Sequence, residues 1–186
     1  MRSIALALTL ALPVLAQAPA APKPAEPSAL AKAFDEAASY LEKEVVPAAE
    51  AMPEDKFAFT PSAGEFKGVR SFAQQVKHIA MVNYMVGSAI LGEKIPVEAG
   101  PGEDGPASLK TKADAVRFLK DSFGYAHKAI RTLNEQNALA PIKAPWGGDT
   151  TRLRMAAIVE SHGFDHYGQM AVYLRLNGII PPASRK

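Results

Sequence analysis

Four stretches of this chain repeat apolar side chains at intervals of three and four residues, and segments rich in glycine and proline separate them. That period belongs to the α-helix, so each stretch presents one apolar stripe. Stripes of this kind must be buried against one another, and four of them close most simply into a bundle. In the first stretch Ser28 stands as an N-cap before Leu30, Phe34, Ala37, Ala38, Leu41 and Val45. Pro47 is expected to kink or end this helix early, although apolar and small residues continue to Met52. The second stretch runs from about Ser71 to Leu91, and Ser71 with Gln74 makes a capping box. The third starts near Thr111, with Asp114 in its first turn, and its stripe reaches Leu133. The fourth runs from about Thr150 to Leu176, where Asn177-Gly178 stops it and Pro181-Pro182 prevents resumption. No strand pattern is evident, because alternation over Lys56 to Thr60 is too short to build a sheet. The reading is an all-α fold, a four-helix bundle over residues 28–182 with a short tail at 183–186.

The residues before the bundle are of a different kind. Arg2 is followed by an apolar or small run from Ile4 to Leu15, interrupted by Thr9, and then by Ala16, Ala18, Ala20 and Ala21. This reads as a signal peptide over residues 1–20, cleaved after Ala16 or Ala20. The run is shorter than the roughly 20 apolar residues of a transmembrane helix. The expectation is therefore an exported protein, periplasmic or extracellular, with no stable membrane span after cleavage. Residues 21–27 form a linker rich in proline and alanine, expected to be disordered. The chain has no cysteine, which excludes a disulfide framework, a thiolate metal site and a cysteine nucleophile. Its net charge is only +2 and no basic block carries interleaved aromatics, so nucleic acid is excluded as a partner.

The chemistry points to histidine. Of the 4 histidines, His162 and His166 lie four residues apart in Glu160-Ser161-His162-Gly163-Phe164-Asp165-His166. On a helix this spacing stacks both rings on one face, with Cβ atoms roughly 6 Å apart. His78, within the second stretch, supplies a third neutral nitrogen from another helix of the bundle. Three protein ligands leave coordination positions open for water or substrate, as catalytic sites do. Imidazole suits Zn, Ni, Fe and Cu, so ligand type alone leaves the metal open; Zn is the default, with Ni, Fe or Mn as alternatives. Gly163 follows the first histidine where a zincin carries its glutamate, so the general base of a metalloprotease is missing. His127 has no partner at ligand spacing and reads as structural or surface. Gln169, three residues beyond His166, is the better candidate for a contact supporting the centre.

The segment His162-Gly163-Phe164-Asp165-His166-Tyr167-Gly168-Gln169, its continuation Tyr173-Leu174-Arg175-Leu176-Asn177-Gly178-Ile179-Ile180-Pro181-Pro182, and His78 within Gln74-Gln75-Val76-Lys77-His78-Ile79-Ala80 resemble the DinB-like superfamily of metal-binding four-helix bundles. The resemblance covers about Ser28 to Pro182. It implies a divalent metal held by His78, His162 and His166, in a bundle that is often a homodimer. Some relatives are transferases or isomerases that use a low-molecular-weight thiol, in which the metal activates a thiolate. Those thiols are cytosolic, and the leader read above argues against thiol transfer here. Two functions follow as expectations. One is a metal-dependent hydrolase or transferase acting on a small molecule. The alternative is a periplasmic protein that binds a metal or small ligand without turnover.

Overall fold

A computed structural model describes residues 26–185. The leader assigned to residues 1–20 and linker residues 21–25 lie outside the described residues. Ser28 opens the first helix as an N-cap: its hydroxyl accepts from the Ala31 N–H at 3.0 Å and donates to the Leu133 carbonyl at 2.9 Å. One side chain thus caps helix α1 (Ala29–Ala51) and ties it to the turn that follows α3 (Lys112–Ile130). Ser71 and Gln74 complete the expected capping box at the start of α2 (Phe72–Leu91), and Thr111 with Asp114 makes a second one before α3. Thr151 caps α4 (Arg152–Leu176). The four helices form the bundle, and short 3₁₀ turns sit at Glu54–Lys56, Pro101–Glu103 and Pro182–Ser184.

Two expectations about local structure are corrected. Helix α1 does not break at Pro47 but runs on to Ala51. Ala48, Ala49 and Met52 are fully buried, so burial of that last turn outweighs the backbone bond that proline forfeits. Pro47→Ala should restore that bond and raise stability, by up to about 3 kcal/mol on helix propensity; the urea midpoint checks this. The chain also contains strands. Pro141–Lys143 (β1) pairs antiparallel with Asp149–Thr151 (β2), with Ile142 opposite Thr150. Three residues per strand show no period, and the tight turn at Gly147 and Gly148, both at positive φ, is what closes the hairpin. Its tip carries Trp146.

The helices contact one another in the order α1, α3, α2, α4 around the bundle, and α4 closes on α1. Helix α2 is therefore flanked by α3 and α4, and Val76, Ile79, Ala80, Met81 and Val86 along it are all buried. Leu41, Phe72, Leu119, Phe123, Met155 and Met170 fill the centre. Among the described residues no helix is long and apolar enough to cross a membrane. What matters for function is that α2 and α4 are neighbours, because they carry the three histidines singled out above.

Candidate metal centre

His78 projects from the middle of α2, while His162 and His166 project from successive turns of α4. The three rings meet. His162 Nε2 lies 3.2 Å from His78 Nε2 and 3.1 Å from His166 Nε2. Ring centroids are 4.4–5.0 Å apart. His78 and His166 are buried, and His162 is half-buried.

Their other nitrogens decide what those Nε2 atoms are. His78 Nδ1 faces the Glu103 carbonyl at 3.2 Å, and a carbonyl only accepts. Nδ1 therefore carries the proton, and Nε2 presents a lone pair. His166 Nδ1 lies 2.5 Å from Gln75 Oε1; Gln75 Nε2 donates to Gln169 Oε1 at 2.8 Å, and Gln169 Nε2 donates to Asp165 at 3.4 Å. The carboxylate at the end can only accept, so the amides run one way and His166 Nδ1 is a donor too. His162 Nε2 then sits between two lone pairs and can donate to only one of them. A cation among the three satisfies all of them. Two nitrogens at the 2.0–2.1 Å distance typical of zinc in a tetrahedral site lie roughly 3.3 Å apart, close to the observed separations. The donor set fits a divalent metal.

Burial and mutual repulsion keep these rings neutral. His166 is pushed down to about 3, chiefly by desolvation and then by the fields of His162 and His78. His162 is pushed down to about 4, chiefly by desolvation and then by His78. His78 is lowered by desolvation and by Arg70, against an opposing pull from Glu103 and Asp104. Neutral imidazole is the ligating form, so at neutral pH the centre needs no deprotonation to receive a cation.

The connection from α2 to α3 is laced down over this centre. Arg70 Nη2 donates to the Gly102 carbonyl at 3.1 Å, and Asp104 accepts from Arg70 Nε at 3.4 Å and from Gln74 Nε2 at 3.0 Å. These bonds hold the Glu103 carbonyl against His78. The expected support from Gln169 exists at one remove, through Gln75. Gln75 itself went unread, although a glutamine one turn before His78 on an apolar face was the available signal. Gln75→Leu should weaken zinc affinity by about 10–100-fold with the helix content kept, as measured by titration calorimetry and circular dichroism. His127 is remote from the centre and structural: its Nδ1 meets Asp35 at 2.6 Å and its Nε2 meets Glu42 at 3.3 Å, pinning α3 to α1.

A family model described as the DinB superfamily matches residues 33–170, which span from the first turns of α1 to Met170 and include all three histidines. The chain belongs to the DinB superfamily. None of the curated proteins compared with it matches. As a DinB-superfamily bundle it has a histidine cluster, on α2 and α4, whose ligand atoms lie within 4.8 Å of one another and could hold a metal ion. A cavity of about 380 Å³ adjoins this cluster at His162.

Proposed function

We propose that His78, His162 and His166 hold one divalent cation, zinc by default, and that the protein uses it to act on a small molecule. The observation that supports this most is the convergence of three Nε2 atoms, two of them with their protons committed elsewhere. A divalent cation bound there supplies Lewis acidity, polarising a donor atom of the substrate. The chain's own residues do the rest. Gln75 and the Glu103 carbonyl hold two of the rings by their Nδ1–H groups, so that their lone pairs stay aimed inward. His162, the least buried of the three, faces the cavity, so a small molecule can approach from that side. Val82, Ile158 and Trp146 give the cavity apolar walls. A hydrolase or a transferase fits this arrangement. The alternative, a binder without turnover, fits a closed centre better than one that opens on a cavity.

Elemental analysis of untagged protein tests the centre. About one zinc per chain is expected, and His166→Ala is expected to carry almost none. Equal metal content in the two would overturn the assignment.

A further inference from the structure

The cavity beside the centre has a one-sided charge. Its lining is Val82, Glu103, Trp146, Ile158, Ser161 and His162, about 380 Å³ in volume. Three of these are apolar, one is a hydroxyl, one is the His162 imidazole, and Glu103 is the carboxylate; no lysine or arginine lines the cavity. Among the described residues the Glu103 carboxylate has no lysine or arginine within ion-pair distance, its one such contact being His78 Nδ1 at 4.0 Å, and its side chain is 45% exposed.

The backbone at Glu103 adds a second, independent observation. Its φ is +61°, the only positive φ outside glycine among the described residues. Glycine would take this conformation without the clash of a Cβ. Residues held in such a state cluster where the surroundings impose it, often at functional sites. Here the conformation aims the carbonyl at His78 while the side chain borders the cavity. The backbone alone calls for glycine; the carboxylate is the feature that glycine would lack.

We propose that this cavity binds an organic cation, an amine-bearing small molecule whose apolar body lies on Trp146, Val82 and Ile158 and whose ammonium group pairs with Glu103. This deepens the function proposed above and rests on it, since the same cavity leads to the histidines. An indole face attracts cations more strongly than any other side-chain ring. The Glu103 carboxylate, which also lines the cavity, adds the attraction of a negative charge, felt by a quaternary ammonium as well as by a protonated amine. In the metal-free protein an anionic group at the same place would meet the Glu103 carboxylate with no lysine or arginine in the lining to offset it.

Trp146 is the only tryptophan of the chain, so its emission reports on this cavity. The full chain, stripped of metal, is titrated with benzyltrimethylammonium, which cannot ligate a metal, and with 3-phenylpropionate, which is of similar size. Saturable quenching by the cation is expected, with the carboxylate weaker by about tenfold or more, the equivalent of roughly 1.4 kcal/mol. Glu103→Gln should abolish that preference and Glu103→Lys should invert it. The proposal is overturned if 3-phenylpropionate binds as tightly as the cation, or if both variants titrate like the wild type. Zinc content is measured on separate samples. A chain that prefers the cation but holds no zinc overturns the metal centre alone; one that holds zinc without the preference overturns the cavity assignment alone.

Discussion

Zinc at a hundredfold excess over its dissociation constant should stabilise the metal-free protein by about 2.7 kcal/mol, and should leave His166→Ala nearly unmoved. For a chain of this size the gain corresponds to roughly 5–11 °C in melting temperature. The argument is linkage: a ligand that binds only the folded state adds its binding free energy to folding. The unfolded chain cannot offer the same site, because His78 is 84 residues from His162 and only the packing of α2 against α4 unites them. His166→Ala removes one of three converging nitrogens and leaves Gln75 without its partner. Differential scanning fluorimetry with and without zinc reads both effects, and equal shifts in wild type and variant would refute the centre.

The same experiment has a pH dependence whose sign is set by burial. Folding lowers all three imidazoles below their ordinary range, so between pH 6.5 and about 4 the unfolded chain binds more protons than the folded one. Stability of the metal-free protein is therefore complete above pH 6.5 and is lost as pH falls, by at most about 1.4 kcal/mol per pH unit for a fully buried ring and less for half-buried His162. Protons do not compete for His162 and His166 in the folded state until about pH 4. The zinc-dependent gain should accordingly fall off at a lower pH than the ordinary histidine range, because His78 too is lowered. A gain that disappears with a midpoint near 6.5 would mean that the rings are solvated in solution.

Helix positions were legible because their signals are local. Ser28, Ser71 and Thr111 each bond a backbone N–H within three residues, so a cap can be read without knowing the fold. The histidine pair was legible for the same reason, since four residues make one turn. What escaped was non-local or carried by the backbone. Gln75 and Gln169 are 94 residues apart, and nothing but the α2–α4 interface pairs them. Glu103 contributes to His78 a carbonyl and an unusual φ, neither of which has a residue-type signature. Pro47 misled because its cost, up to about 3 kcal/mol, is outweighed by the burial of the turn after it.

Gly163→Ala should destabilise the protein by about 1–3 kcal/mol, although alanine is the better helix former by roughly 1 kcal/mol. The sign is decided by Leu41. A Cβ at position 163 would stand 2.2 Å from Leu41 Cδ2 and 3.0 Å from Cδ1. Leu41 is fully buried in the core, so it cannot swing into solvent, and α1 and α4 must move apart instead. Urea denaturation reads the loss, and a variant as stable as the wild type would contradict the packing. Leu41→Ala alone should cost about 2–5 kcal/mol, while the double variant should lose less than the sum of the two, because the smaller residue at 41 makes room for the added methyl. The consequence reaches the centre, since Gly163 follows His162 and a shift of α4 moves both of its rings relative to His78. It also explains why the residue after the first histidine is not the glutamate of a zincin. That position faces α1 rather than the converging nitrogens, and a carboxylate there would be driven into Leu41 without reaching a substrate. Packing between α1 and α4, rather than the chemistry of the centre, keeps a glutamate out of position 163.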